Sequence, residues 1–273
     1  MSNETTTGGP SRRARVVRAL VAATLGGLVG VVVAFGARAP WPSFGGVASG
    51  DDSTPATAEE RSIRQRIAPR VAAAIDASNP TTRNLAVRLA SAFDGPFRVE
   101  QVARIWAHVR ARWRYVSDPH GAEYFARASE TIDDGLAGDC DDFATVLLAM
   151  AQAIGGRGRF VMVDGDEGGH AYAEVCIDAH PDEVAAHLVA MVPDADAADR
   201  AAAREIHFRS DTSCPVWLGL DWSARTPGGP YRAERWAVAI HPDGRTESLA
   251  PALGPHPAVP AASAAPPDAG GTR

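Results

Sequence analysis

The chain has 273 residues, of which 45% are hydrophobic and 22% are charged, so it can form one ordinary domain with flanking segments. Its formal net charge is −6, and every basic side chain apart from histidine is an arginine. An acidic body excludes nucleic acid as the expected partner, because the phosphate backbone would be repelled.

Residues 1–39 predict a targeting segment. The basic stretch SRRARVVR precedes a run from Ala19 to Ala37 that carries no charge and approaches the roughly 20 residues of a transmembrane helix. The flanking arginines would keep the N-terminus in the cytoplasm and the body outside. Ala37-Arg38-Ala39 also matches a cleavage site, so a retained anchor, which we favour, competes with the signal peptide of a secreted protein. The predicted localisation is a single-pass membrane protein with an extracytoplasmic domain.

The rest of the chain divides into a linker, a domain and a tail. Residues 40–56 are rich in Gly, Ser, Pro and Asp and are predicted to form the linker. The predicted domain covers residues 57–250. Residues 251–273 contain mainly Pro, Ala and Gly, and they hold too little apolar bulk to fold.

Helical signals open the predicted domain. Thr57 and Glu60 form a capping box for a helix that runs to about Ala77. A second helix begins at Pro80 and ends near Phe93, before a Gly-Pro pair. A third helix is predicted from apolar residues at helical spacing, namely Val102, Ile105, Trp106, Val109 and Trp113.

A fourth helix is predicted from Cys140 to Ile154, and after it the periodicity changes. RFVMV predicts a short buried strand, and HAYAEVCI alternates with His170 on one face. Residues 178–204 are rich in alanine and predict a helical excursion between strands. EIHFRS, VWLGLDW and RWAVAIHPDG predict three more strands. Helices followed by strands indicate an α+β fold.

The candidate site begins with Cys140 in the first turn of an apolar helix. The free N–H groups and the dipole there favour a thiolate, but the neighbouring aspartates oppose it, so a protonatable partner is needed. His170 opens a strand after a glycine-rich loop. Asp221 lies between apolar residues, where a carboxylate needs a partner such as a histidine N–H. Nucleophile, base and orienter are the three parts of a thiol acyl-transfer site.

Each of these residues also has a plainer interpretation. Cys140 could be a small apolar filler, His170 a satisfied polar residue, and Asp221 an acceptor for backbone N–H groups. A metal is disfavoured because C-x-x-C and H-x-x-x-H spacings are absent from the sequence, and the acids lack the alternation of a calcium loop. We therefore predict no metal and no cofactor, and we expect the acids around Cys140 to cap the helix.

The sequence resembles the transglutaminase-like superfamily over residues 96–244. The segments that carry the resemblance are VARIWAHVRARWRYVSDP, GDCDDFATVLLAMAQAIG, RFVMV, HAYAEV and WLGLDWS, and the strongest is the Gly-x-Cys-x-Asp-Phe-Ala core at 138–144. The resemblance implies a papain-like core, in which the cysteine helix packs on an antiparallel sheet that carries histidine and aspartate. It also implies Cys140 as nucleophile, His170 as base and Asp221 as orienter.

These expectations lead to three functional hypotheses, the third of which is an amidase that acts on small molecules. The first is a thiol enzyme that forms an acyl-enzyme with the carbonyl of a protein, peptide or amide substrate, as a peptidase, amidase or transglutaminase. Trp113 and Tyr115 are then predicted to bind substrate, with core packing as the alternative. The second is a non-catalytic binding module of the same fold, held at the membrane. The oligomeric state is not predicted.

The chain has three cysteines, and the pairing of Cys176 with Cys214 is left open. If His170 and Asp221 lay directly opposite each other on adjacent antiparallel strands, Cys176 would face Pro215. Cys214 would then lie one position away, on the other face of the sheet. A bend at Pro215 would permit a disulfide, whereas a strict register would leave two separate thiols.

Overall fold

A computed structural model describes residues 61–118, 124–192 and 196–250. The predicted targeting segment, linker and tail lie outside these residues, as does the capping box that was expected to start the first helix. The first described helical stretch contains a π-helical turn at Ile63–Ile67 and continues as α1 (Ala68–Ala74). It ends before the predicted Ala77.

Three further helices surround the one that begins at Cys140. They are α2 (Pro80–Ala90), α3 (Val99–Arg112) and α4 (Ala128–Asp133). The side chain of Asn79 accepts a hydrogen bond from the Thr81 N–H, which together with proline at the first position begins α2 as the sequence predicts.

Helix α5 (Cys140–Ala153) is the centre of the fold. Its residues from Cys140 to Ala151 are all buried, since other elements cover it on every side. It packs against α2 and α4 and against the sheet. A helix that is apolar around its circumference is stable only in such a position. Just before it, β1 (Arg114–Tyr115) and β2 (Ala137–Gly138) form a short parallel ladder.

The main sheet has six antiparallel strands in the order β5-β6-β4-β3-β7-β8. Helices α6 (Pro181–Ala190) and α7 (Ala197–Arg204) lie between β4 and β5 in sequence, which confirms the predicted helical excursion. The α+β fold is likewise confirmed. The strands are β3 (Gly158–Gly165), β4 (Gly168–Ile177), β5 (Phe208–Asp211), β6 (Cys214–Leu220), β7 (Trp236–Ile240) and β8 (Thr246–Ser248).

The two faces of this sheet differ in character. The face toward α5 is apolar, with residues such as Met162, Val175 and Leu218 in the main core. The opposite face buries a charged network in which Glu174, which is 0% exposed, accepts hydrogen bonds from Arg159 and Arg209. Alternation along each strand places apolar and charged residues on opposite sides.

A disulfide joins Cys176 and Cys214, whose Cα atoms are 5.9 Å apart. The register is two residues away from the one that direct opposition of His170 and Asp221 would produce, because Cys176 pairs with Trp217 and not with Pro215. The pairing of β5 with β6 is also irregular beside Cys214. Of the two alternatives left open by the sequence, the structure therefore has the disulfide, and Cys140 is the free cysteine.

The prediction of a single-pass membrane protein is wrong for the residues that the structure describes. None of their helices is long and apolar enough to cross a bilayer. The helices α3 and α5 have 14 residues each, or about 21 Å, against a hydrocarbon core of about 30 Å. The run from Ala19 to Ala37 lies outside the described residues. The transmembrane helix, the signal anchor and the extracytoplasmic localisation are therefore not retained.

Candidate active site

The start of α5 is held by a reciprocal cap. Asp139 accepts the backbone N–H of Asp141, and Asp142 accepts the backbone N–H groups of Asp139 and Ala126. A β-carbon on Gly138 would lie 2.2 Å from a carboxylate oxygen of Asp142, so this position requires glycine. The Gly-x-Cys-x-Asp spacing is thus a consequence of the cap that places Cys140 at the first position of the helix.

The thiol of Cys140 lies at this helix start and is only 7% exposed. Burial raises the pKa of the Cys140 thiol well above its ordinary value, and the charges of Asp141 and Asp139 raise it further. A hydrogen bond from the backbone N–H of Ala171 lowers that pKa in part. Ala171 directly follows His170 on β4, so the backbone beside the predicted base contributes to the environment of the Cys140 thiol.

His170 and Asp221 are in direct contact, with 2.6 Å between His170 Nε2 and Asp221 Oδ2. The second carboxylate oxygen of Asp221 accepts the backbone N–H and the hydroxyl of Ser223, at 2.8 and 2.9 Å. Burial by itself would raise the pKa of Asp221, but the hydrogen bond and charge of His170 and the bonds from Ser223 hold it below its ordinary value. An ionised Asp221 accepts the Nε2 proton, which leaves Nδ1 as the basic ring atom.

The contact between His170 and Asp221 is diagonal. The last pair between β4 and β6 is Ala173 with Leu220, so the register would place Asp221 opposite Tyr172. Diagonal neighbours on adjacent strands are within reach of long side chains. Trp106 on α3 also donates its indole N–H to the backbone carbonyl of Asp221, at 3.2 Å, and so anchors the end of the strand.

The predicted substrate-binding residues lie beside the start of α5. Trp113 is half-buried and packs edge-on against Phe143 of α5, with 5.0 Å between ring centroids. Tyr115 pairs with Gly138 in the β1–β2 ladder and is 43% exposed. Its ring stacks on Trp222, which follows Asp221, at 4.6 Å. Trp113 thus packs at the edge of the core. Tyr115 lies at the surface, between Gly138 before the Cys140 helix and Trp222 after Asp221.

Further residues at the site were not identified from the sequence. Trp106 and Ser223 hold Asp221, and Trp222 covers Tyr115. A serine two residues after an aspartate, as at Ser223, is a weak sequence signal for a turn in which the aspartate accepts hydrogen bonds from the serine. Trp222 could have been noticed because it directly follows Asp221 in the sequence. Trp106 has no local signal, because its helical spacing indicates only a core residue.

Three adjacent residues could supply ligands to a cation. Potential ligand atoms of Asp139, Cys140 and Asp141 lie within 4.8 Å of one another. The two carboxylate oxygens of Asp139, however, already accept the backbone N–H groups of Asp141 and Asp118. The helix cap therefore accounts for Asp139, and the grouping needs no ion to explain it.

The fold is an α+β core in which Cys140 begins the central helix and the contact between His170 and Asp221 lies at one end of the main sheet. Residues 83–183 match the model of the Transglutaminase-like superfamily, which confirms the predicted resemblance over the part of the chain that holds Cys140 and His170. None of the curated proteins matches.

The comparison with solved structures finds similarities at low sequence identity and low TM-score. A Cytophaga hutchinsonii protein that is provisionally designated a cysteine protease is 15% identical, with a TM-score of 0.34. The match covers 63% of this chain and 50% of that protein, so this chain corresponds to half of its length. Legionella pneumophila LapG is 16% identical with a TM-score of 0.35, and the match covers 62% of this chain and 82% of LapG.

Proposed function

We propose that the chain is a thiol acyl-transfer enzyme that uses Cys140, His170 and Asp221 on amide or peptide carbonyls. One observation carries the proposal. Asp221 holds the Nε2 atom of His170 at 2.6 Å, while the next residue of the same strand, Ala171, donates its N–H to the thiol of Cys140. These two contacts at one end of β4 support the roles of nucleophile, base and orienter for Cys140, His170 and Asp221.

The reaction follows from the proton positions. Asp221 keeps the proton on Nε2, so Nδ1 of His170 accepts the proton of the Cys140 thiol. The thiolate attacks the carbonyl carbon, and the oxyanion is held by the backbone N–H of Cys140, one of the groups at a helix start that have no intrahelical partner. His170 then protonates the leaving amine, and an acyl-enzyme remains. Water releases the acyl group in a hydrolase, and a second amine releases it in a transglutaminase.

The exposed surface beside Cys140 favours a protein or peptide substrate over a small amide. Tyr115, Val116 and Tyr124 are the large apolar or aromatic side chains exposed here, at 43%, 56% and 57%. They lie in the segments that flank the start of α5. Such a surface suits the side chains of an extended peptide, whereas a small amide would not cover it.

One observation favours the second hypothesis, a non-catalytic module of this fold. Burial and two aspartates raise the pKa of Cys140, so the resting residue is a neutral thiol. A thiolate is the reactive species, and this environment opposes it unless His170 takes the proton when substrate binds. Reactivity of Cys140 therefore separates the two hypotheses.

The deciding experiment is labelling of the full chain with an electrophilic peptide-amide probe. Because Cys176 and Cys214 are joined, Cys140 is the one cysteine available in the unreduced protein. We expect labelling that is lost in Cys140→Ala and falls steeply in His170→Ala. Asp243→Asn is a matched control, because Asp243 accepts the N–H of Arg245 two residues on, as Asp221 does with Ser223, but lies far from His170 in sequence and in an exposed turn. Labelling that is equal in His170→Ala and the unchanged protein would reject the enzyme.

Product analysis then separates hydrolysis from amine transfer. A peptide substrate is incubated with and without a fluorescent primary amine, and the products are identified by mass. The chain contains no lysine, so a transglutaminase of this sequence would not cross-link itself through lysine amines. Incorporation of the amine indicates transfer, and a free acid as the sole product indicates hydrolysis.

A further inference from the structure

A cleft of about 590 Å³ lies beside the turn that carries Asp221. Helix α3 forms one wall, with Trp106 and Arg110, and the turn after β6 forms the other, with Ser223 and Arg225. Asp199 of α7 completes the lining. The volume is within the range of sites for small molecules in proteins.

Arg110 is the unusual residue of this cleft. Its Nε atom is buried and has no hydrogen-bond partner among the described residues, and none of them forms an ion pair with its guanidinium. A buried, unpaired donor on a charged group costs free energy, so native proteins rarely leave one without a purpose. The guanidinium presents paired N–H groups in the geometry that a carboxylate fills.

The charge around the cleft also favours an anion. Asp199, the one acid of the lining, already binds Arg225 at 2.8 Å, so it does not neutralise Arg110. The opposite side of α3 is basic as well. Burial lowers the pKa of His108, and the charges of Arg112, Arg104 and Arg88 lower it further. Within the lining, the Arg110 guanidinium is thus the positive charge that no described acid pairs, because Arg225 binds Asp199 and also interacts with Asp196.

We propose that this cleft binds a carboxylate, with Arg110 as its main partner and the Trp106 ring as an apolar wall. The carboxylate comes either from a small dicarboxylic acid or from an acidic side chain of a bound peptide. Both sources present the same planar acceptor to the guanidinium. The site is separate from the Cys140 thiol and does not depend on catalysis.

The cleft is connected to the candidate triad through its own walls. Trp106 donates its indole N–H to the Asp221 carbonyl, and Ser223 donates two hydrogen bonds to the Asp221 carboxylate. A ligand in the cleft therefore contacts residues that fix the position of Asp221. A ligand bound in the cleft would therefore affect the position of Asp221 and, through it, the orientation of the His170 ring.

The test measures binding in the full-length Cys140→Ala protein, so its outcome does not depend on the proposed reaction. The side-chain Nε–H signals of arginine are followed by NMR, and the Arg110 signal is assigned by its loss in Arg110→Gln. One arm titrates succinate. The other titrates the blocked tetrapeptide acetyl-Ala-Ala-Glu-Ala-amide, with its Gln counterpart as the uncharged control. We expect the Arg110 signal to shift with at least one of the two acids and not with the Gln peptide.

Variants complete the test. We expect Arg110→Gln to weaken binding of the active acid by about tenfold or more, as loss of a charged hydrogen bond does. Arg104→Gln is the matched control, since it makes the same change on α3 outside the cleft lining and should alter the Kd less than about twofold. Circular dichroism confirms that each variant is folded. If Arg110→Gln unfolds, Arg110→Lys, which keeps the charge but lacks the Nε–H group of arginine, assigns the signal and is used for the binding measurement. An Arg110 signal that neither acid moves at its highest soluble concentration overturns the proposal, as does equal weakening by Arg104→Gln.

Discussion

Two groups of buried ionisable side chains, one on the outer face of the sheet and one at the start of α5, differ in how their charges are paired. On the face away from α5, Glu174 is satisfied by Arg159, Arg209 and the hydroxyl of Tyr231. At the start of α5, by contrast, Cys140 is buried among acids, and its thiol pKa is raised well above the ordinary value.

This difference suggests a structural role for the Glu174 network and a chemical role for the group around Cys140. In the network every buried charge meets an opposite charge, so there is no proton to move and the arrangement fixes the packing of the outer face. At the candidate site the Cys140 thiol lies among aspartates, and the proposed function requires a proton to pass between Cys140 and His170. Asp142 is part of the same imbalance, since burial and the charge of Asp139 raise its pKa to about 6. Substitutions that change one group at a time test whether the two groups differ in this way.

The largest effect is expected at Asp221. Asp221→Asn would lower the rate of probe labelling at Cys140 by about 10,000-fold, because an amide no longer selects the Nε2–H tautomer of His170. The fold should survive, as the side chain can still accept from Ser223. The second-order labelling rate measures this effect, with Asp243→Asn as control. An unchanged rate in Asp221→Asn would remove Asp221 from the site.

Breaking the charged network should affect stability and not chemistry. We expect Glu174→Gln to lower the free energy of unfolding by about 3 to 5 kcal/mol, because it leaves Arg159 and Arg209 buried without their shared carboxylate. Urea denaturation measures the loss, and the exposed Glu183→Gln should change stability by less than about 0.5 kcal/mol. Labelling of Cys140 in the folded fraction should persist. If labelling falls as steeply as in Asp221→Asn, the network serves the site and the distinction fails.

Removing the disulfide between Cys176 and Cys214 measures how much it contributes to the free energy of unfolding. Removing it in the double variant Cys176→Ala/Cys214→Ala should cost about 3 kcal/mol, since it closes a loop with a sequence separation of 38 residues. A reducing agent should destabilise the unaltered protein by a similar amount and leave the double variant unchanged. Thiol titration of the unfolded, unreduced chain should find one reactive thiol, and a count of three would contradict the bridge.

The last expected effect concerns pH. The folded-state pKa of Asp142 is raised to about 6 from 3.8, so the folded protein binds this proton more tightly than the unfolded chain does. The contribution of Asp142 to stability therefore falls as the pH rises from about 4 to about 6, by about 3 kcal/mol in total, since one pKa unit corresponds to about 1.4 kcal/mol. Asp142→Asn should remove this part of the pH dependence, whereas the exposed Asp178→Asn should keep it. Denaturation midpoints measured across this range decide the matter, and identical slopes in both variants would show that Asp142 titrates normally.

Much of the local architecture could be predicted from the sequence. The cap at Asn79, the helix start at Cys140 and the change from helical to alternating periodicity all depend on residues close together in the chain, whose backbone preferences act locally. The transglutaminase-like resemblance and the α+β fold were confirmed for the same reason, since they rest on ordered local motifs. The membrane anchor was inferred from hydropathy alone and was not supported by the described helices.

The tertiary structure decided what depends on strand register and on contacts between distant segments. The diagonal contact of His170 with Asp221, and the register that pairs Cys176 with Trp217, follow from how β4 and β6 align, which alternation alone leaves free. The bond from Trp106 to the Asp221 carbonyl joins residues 115 positions apart. Burial of the Cys140 thiol is likewise a property of packing and not of composition. A sequence pattern states which faces are apolar, but only the folded chain brings particular polar atoms within hydrogen-bonding distance.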